Sequence, residues 1–426
     1  MDTTIEKFKG GEFLIKDYSF GSDYIPERMN EDQKMIRDTV REFVEKELWT
    51  RGSKLEEQPA LMDEAGELGL VGAHIPAEYG GQEFDTIINT ILLEELGGGD
   101  ASFSTTFAAH TGIGMLPILY FGTEEQKKKY LPELSSGKVR AAYCLTEPGS
   151  GSDALGAKTK AILNDAGTHY LLTGQKMWIS NAGFADVFIV FAQVDGDKFT
   201  GFIVEKGTEG MTLGEEEHKL GIKGSSTRQI FFENAPVPKE NVLGEIGKGH
   251  LIAFNVLNMG RFKLGVLVGG GCKVTTTRAV NYAMEREQFK TPIGRFGAIQ
   301  HKMAQMAINA YVLESTNYRI ANLIEDWKAS AIEDGVPYQQ ALLDAAEEYA
   351  IECAITKIYG SECIDYNVDE LLQIHGGYGF SEEFVPAGLF RDTRINRIYE
   401  GTNEINRLLL VNMLLRRVMK GQLDMV

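Results

Sequence analysis

Cysteine is scarce in this sequence, with four residues in 426: Cys144, Cys272, Cys353 and Cys363. None forms a Cys-x-x-Cys pair. Their wide spread excludes a disulfide scaffold and leaves four reduced, mostly buried thiols as the expectation. No run reaches the ~18 uninterrupted apolar residues of a membrane span. The Leu408–Leu415 run is broken at Asn412 and reads as a buried helix. The first residues, MDTTIEKFKGGEF, lack a basic-then-apolar signal pattern. A bacterial cytoplasmic location is therefore expected, with a processed mitochondrial form as the other reading. An excess of positive charge is also missing: 43 Lys and Arg face 61 Asp and Glu, for a net charge of −18. Such a surface repels phosphate backbones and gives no footprint for nucleic acid. It still allows an anionic small ligand held by local basic residues.

The length suggests two or three substructures, and 43% apolar with 24% charged residues is ordinary for a globular chain. Residues 1–140 read as helical. Asn30 followed by Gln33, and Thr123 followed by Gln126, are capping-box signatures. Ile36, Val40, Phe43, Val44 and Leu48 recur on one helical face. Residues 141–246 change character. YLLTGQKMWIS, VFIVFAQV, FTGFIVEK and RQIFFEN are short β-branched and aromatic runs separated by turns, the pattern of a β domain. Residues 247–426 return to helix. Met303, Met306, Ala307, Ala310 and Leu313 mark one face, and few prolines interrupt the long segments, which suits an antiparallel bundle. The order is helices, strands, helices.

Four segments carry candidate chemistry, and each also has a plain structural reading. Tyr143–Gly156, YCLTEPGSGSDALG, joins a strand-like run to a Gly/Ser loop. Such a loop lets backbone N–H groups approach an anion or a ring edge; it is equally an ordinary connecting loop. Trp178 in QKMWISN offers a flat wall for an aromatic cofactor, or a core tryptophan in a sheet. QIHGGYGF at Gln373–Phe380 has closely spaced glycines, but no βαβ unit precedes it, so a Rossmann reading fails. His375 within it reads as structural. Glu400 in RINRIYEGTNEINR follows an apolar-aromatic run and precedes a breaker. Burial there would raise its pKa and suit a general base; a solvated glutamate near a helix cap fits the same residues.

Together, YCLTEPGSGSD, KMWISN, REQF, QIHGGYGF and IYEGTNEI resemble the acyl-CoA dehydrogenases, in family order over nearly the whole chain. The resemblance implies an α+β, mostly helical fold: an N-terminal helical domain, a central β-barrel-like domain and a C-terminal four-helix bundle. KLGIKGSSTRQIFFENAPVPKENVLG and LNMGRF are most similar to the very-long-chain branch, whose further C-terminal helical region does not follow LLRRVMKGQLDMV here.

The resemblance also implies FAD as cofactor. It assigns Tyr143, Leu145, Thr146 and Ser152 to the loop beside the flavin, with Ser152 also meeting the CoA chain. Trp178 and Ser180 flank the ring. Arg286, Phe289, Gln373 and Gly377 match contacts supplied to a neighbouring subunit's FAD. Thr402 lies beside the pyrophosphate. Glu404 stands where many members have Gln. Asn258, Arg261 and Gly401 fall on the substrate side, with Arg261 as a partner for CoA. Glu400 matches the base. The family's alternative base position is Gly260, which has no side chain to serve.

The implied reaction is α,β-dehydrogenation of a medium- to long-chain fatty acyl-CoA to the trans-2-enoyl-CoA, as in fatty acid β-oxidation. Glu400 takes the α-proton and the β-hydride passes to FAD. An electron-transferring flavoprotein is the implied acceptor, a homodimer or homotetramer the implied assembly, and no metal is called for. An acyl-CoA oxidase or flavin-dependent oxygenase on the same fold is the alternative. A non-enzymatic flavin- or nucleic-acid-binding relative would lack the base or carry a basic stripe.

Overall fold

The computed structural model describes residues 8–16 and 24–424. The first seven residues, read above for a signal pattern, lie outside the described residues. Helix α1 (Glu31–Phe43) begins where the sequence signals it. The Asn30 side chain accepts from Gln33 N at 2.8 Å, and Gln33 Oε1 accepts from Asn30 N at 3.1 Å. A cap of this kind contributes roughly 0.5–2 kcal/mol. The apolar face continues past α1 through a π-helical turn, Val44–Leu48, and buries Val40, Phe43, Val44 and Leu48. Helices α2 (Gln58–Glu67), α3 (Thr86–Gly97) and α4 (Ala101–Ala108) follow. A second π-helical stretch, Ala109–Gly114, leads into α5 (Leu116–Phe121). The Thr123 and Gln126 capping box then opens α6 (Glu124–Ser135).

Eight strands form one open, barrel-like sheet: β1 (Ala141–Cys144), β2 (Lys160–Leu163), β3 (His169–Ser180), β4 (Val187–Val194), β5 (Lys198–Glu205), β6 (Met211–Glu216), β7 (Thr227–Pro238) and β8 (Val242–Leu243). Their order is β6-β7-β3-β2-β4-β5-β8, and β1 pairs in parallel with β4. Strand β4 reads as a continuous apolar run because both its faces are covered. Phe188, Val190 and Ala192 enter the sheet's own core, while Val187, Ile189 and Phe191 pack into the helical core. Each fully buried side chain of this size contributes roughly 1.5–3 kcal/mol. This two-sided burial seats the sheet on the helices.

The C-terminal helices are α7 (Gly249–Glu285), α8 (Gly297–Glu333), α9 (Tyr338–Glu348), α10 (Ala350–His375), α11 (Val385–Thr393) and α12 (Asn403–Met419). A two-residue hairpin, β9 (Glu287–Gln288) and β10 (Thr291–Pro292), joins α7 to α8. Helix α7 is long and apolar enough to cross a membrane, but its apolar window is 67% buried inside the protein, as befits a core helix. All four cysteines are free and buried.

Two expectations need correction. Ala307 is exposed, although Met306, Ala310 and Leu313 are buried. It follows Met306 by one residue, a rotation of about 100° that turns it off the buried face. The Leu408–Leu415 run is helical but not buried: Leu408 is 63% exposed, and Val411 and Leu415 are exposed as well. Its apolar residues run around the whole helix, and α12 packs by one side only. Residues Phe8–Lys16 lie over the C-terminal helices. Gly10 N and Gly11 N donate to Glu348 Oε1 (2.8 Å) and Glu352 Oε1 (2.6 Å), and Tyr349 donates to the Phe8 carbonyl at 2.7 Å.

Candidate active site

Glu400 sits in the turn between the 3-10 stretch Arg394–Arg397 and α12. Its φ is 57°, and that of Gly401 is 79°. A left-handed non-glycine residue costs roughly 1–3 kcal/mol and persists only where its surroundings hold it. Here three side chains capture consecutive carbonyls. Arg261 Nε donates to Glu400 O at 3.3 Å. Asn406 Nδ2 donates to the carbonyls of Glu400 (3.2 Å), Gly401 (2.8 Å) and Thr402 (3.1 Å). Lys357 Nζ donates to Gly401 O at 2.8 Å and to Asn403 Oδ1 at 2.7 Å.

The carboxyl group faces α7. Its Oε2 is sealed from solvent and has no hydrogen-bond partner, although the residue as a whole is half-buried. Burial raises the Glu400 pKa to about 7; Arg261 and Lys357 pull it the other way. A Cβ added at Gly260 would lie 2.7 Å from Oε2 and 3.1 Å from Cδ. Gly260 therefore makes room for the carboxyl group rather than supplying one. Gly260→Ala is expected to push the carboxyl aside. A displacement of about 1 Å at a reacting group costs on the order of 10²-fold in rate. Stopped-flow turnover of this variant, with its flavin absorbance as a control for folding, checks the expectation.

The Tyr143 hydroxyl is a second buried oxygen without a partner. Burial first, and Glu400 second, push its pKa well above the usual range. Arg261 is buried, and its Nη1 donates to Asn258 Oδ1 at 2.9 Å. Its bonded partners are thus Asn258 and the carbonyl of Glu400, which places it behind the carboxylate.

Trp178 comes to the surface because β3 bulges. The pairing of β3 with β7 shifts register between Lys176 and Ile179, and Trp178 has φ 57°. Such a bulge re-aims a side chain. Lys176 and Ile179 stay buried while the indole is 59% exposed, which excludes the core-tryptophan reading. Leu145 is buried at the start of the neighbouring loop, and Thr146 O accepts from Met177 N at 2.9 Å. Ser152 is exposed farther along, and Ser180 is half-buried at the end of β3. No atom lies within 4 Å of a Cβ added at Gly149 or Gly151, so the loop backbone is open to a ligand. Thr402 caps α12, accepting from Ile405 N at 3.3 Å, and Glu404 is exposed in its first turn. A helix N-terminus attracts phosphate. An exposed indole, an open glycine loop and a helix N-terminus together fit a flavin dinucleotide.

Arg286 and Phe289 follow the C-terminal end of α7, and Gln373 and Gly377 lie at and just past the end of α10. The Arg286 guanidinium lies 5.4 Å over the Tyr378 ring, which brings REQF and QIHGGYGF together. Phe289 is 91% exposed at the tip of the β9–β10 hairpin. His375 is stacked on Tyr282 at 3.8 Å, a packing role. Arg261 and Glu285 lie on the same helix, and that stretch spans about 36 Å at ~1.5 Å per residue. That is farther than one flavin dinucleotide reaches.

Sequence reasoning passed over three groups. Lys357, outside the quoted segments, and Asn406, inside the Glu400 segment but given no role there, shape the turn at Glu400. Lys176 Nζ lies 2.7 Å from Glu147 Oε1, both buried, and Glu147 also accepts from Lys158 N (2.6 Å) and Thr159 N (3.0 Å). Burial pushes Glu147 up, but Lys176 and these donors outweigh it and hold the carboxylate ionised. Asn181 Nδ2 donates to Thr106 O at 3.0 Å and ties β3 to α4. A lysine at an inward strand position was a readable sign that a carboxylate must meet it.

Comparison with known proteins agrees with this geometry. The acyl-CoA dehydrogenase N-terminal, middle and C-terminal domain families match residues 30–138, 142–235 and 247–415. The chain is 51% identical over 422 residues to a probable acyl-CoA dehydrogenase of Bacillus subtilis (strain 168), covering 98% of this chain and 71% of that one. It is 42% identical over 351 residues to the very long-chain specific acyl-CoA dehydrogenase, mitochondrial, of Homo sapiens, covering 80% of this chain. It spans 51% of that relative's length. The crystal structure of an acyl-CoA dehydrogenase complexed with FAD from Bacillus anthracis superposes with a TM-score of 0.95 at 50% identity, over 98% of this chain and 72% of that one. The chain belongs to the acyl-CoA dehydrogenase family, a family of FAD-dependent oxidoreductases.

Proposed function

We propose that this protein dehydrogenates medium- to long-chain fatty acyl-CoA thioesters to trans-2-enoyl-CoA, a reaction of fatty acid β-oxidation, with Glu400 as the base. The observation that carries this reading is the sealed, unpartnered Glu400 Oε2 with its pKa raised to about 7. A base poised near working pH is matched to its task. Glu400 accepts the α-proton at its carboxylate. Its own backbone N–H is assigned to the thioester oxygen, where a donor stabilises the developing enolate. Tyr143, Leu145, Thr146, Ser152, Trp178, Ser180, Thr402 and Glu404 would hold FAD, with Ser152, Asn258, Arg261 and Gly401 on the substrate side. FAD, when bound, supplies the acceptor for the β-hydride. An electron-transferring flavoprotein then takes the electrons onward. The length of α7 between Arg261 and Glu285 supports Arg286, Phe289, Gln373 and Gly377 serving a neighbouring subunit's FAD, which makes a dimer the minimal assembly.

Anaerobic flavin bleaching tests the proposal. The yellow protein is mixed without oxygen with acyl-CoAs from butyryl-CoA to stearoyl-CoA. Bleaching is expected, fastest with the longer chains. Only ionised Glu400 accepts a proton, so kcat/KM should rise about tenfold per pH unit below pH ~7 and level off above it. A yellow protein that none of these thioesters bleaches sinks the reading. Hydrogen peroxide formation in aerobic turnover would move the assignment to an oxidase.

A further inference from the structure

Lys357 is fully buried, at 0% exposure in α10. An ammonium in the interior is expensive unless it is paired. Among the described residues Lys357 forms no ion pair; its bonds go to two neutral oxygens, Gly401 O and Asn403 Oδ1. Both belong to the stretch that begins at Glu400. Removing solvent from this cation therefore serves the turn and not a charge partner.

We propose that Lys357 is the positioning residue that fixes both the shape and the charge of the catalytic turn. This rests on Glu400 being the base. The ammonium draws the Gly401 carbonyl into α10, and a peptide so rotated keeps both Glu400 and Gly401 left-handed. That in turn keeps the carboxyl over Gly260. The same charge acts on the carboxylate through space. Burial brings Lys357 down to about 8, and Glu400 partly restores it. The other groups facing the pair are Arg261 from α7, Tyr143 from β1, Glu362 from α10, Glu404 from α12 and Tyr399, the residue before Glu400. Of these only Arg261 is a second cation, and its bond goes to the carbonyl of Glu400, one residue before the carbonyl that Lys357 holds.

Lys357→Met and Lys357→Arg, made beside Glu400→Gln, test this. Palmitoyl-CoA is the probe. In Lys357→Met, amide hydrogen exchange in residues 399–406 should accelerate at least about tenfold, the effect of losing one charge-assisted hydrogen bond. Exchange elsewhere should hold. The acid limb of the bleaching rate should move to higher pH, because the carboxylate has lost a favourable charge. In Lys357→Arg the charge stays but the fork does not reproduce the ammonium's two bonds. Its acid limb should stay in place while the plateau rate falls and local exchange rises. If the Met variant does not fold, the Arg variant carries the test. Unchanged exchange and an unchanged rate profile in the soluble variants overturn the proposal, even with Glu400→Gln inactive. Normal turnover by Glu400→Gln would instead remove the base assignment, and the exchange data would still decide whether Lys357 holds the turn.

Discussion

Glu400→Gln should leave a yellow, folded protein that binds acyl-CoA and turns over at least ~10²–10⁴-fold more slowly. That range is the usual contribution of a placed general base. The substitution keeps the volume beside Gly260 and the backbone carbonyl that Arg261 and Asn406 hold. It removes only the basic oxygen. The comparison of flavin absorbance, ligand-induced spectral shift and bleaching rate separates chemistry from folding. Turnover within a few-fold of the parent would take the role away from Glu400. So would loss of the flavin with loss of activity, because then the residue would be acting on structure.

The largest effect on stability is expected at the other end of the site. Glu147→Ala leaves Lys176 buried without its carboxylate. Breaking such a pair costs about 3–5 kcal/mol. It also frees the Lys158 and Thr159 amides that Glu147 holds, so the loop proposed to hold the flavin should loosen. A lowered urea midpoint together with loss of the yellow colour is the expected outcome. Glu147→Leu combined with Lys176→Met refines the interpretation. Removing both charges should recover much of the stability, since an apolar pair of similar volume is often tolerated there. It should not restore flavin retention, since the amides remain unheld. Recovery of both would show that the pair acts through charge balance and not as an anchor for the loop.

Much of the architecture was legible because it is written in near neighbours. Both capping boxes lie within four consecutive residues and sit where the pattern put them. The change from helical spacing to short β-branched runs marks the strands beginning at Ala141. Glu400 was legible through its motif, though its residue type alone left a solvated glutamate equally open. The bulge at Trp178 was not legible, because periodicity assumes that every residue advances the strand by one step. Simple alternation would put Lys176 and Trp178 on one face; the structure puts them on opposite ones. The π-helical turns at Val44–Leu48 and Ala109–Gly114 escape for the same reason. Lys357 escaped because it is 44 residues from the carbonyl it holds, and spacing along the chain says nothing about that meeting. The run at Leu408 misled because apolar content was taken for burial, when a helix that is apolar all round still needs neighbours on every side.

The strap at Gly10 and Gly11 has a consequence for how the protein is made. Its acceptors are 338 and 341 residues later in the chain. At roughly 5–20 residues per second of synthesis, those partners emerge about 20–70 s after the strap does. Throughout that interval the segment is outside the ribosome with nowhere to dock. The strap is therefore made well before the helices that hold it, and it reaches its final place only after those helices have been translated.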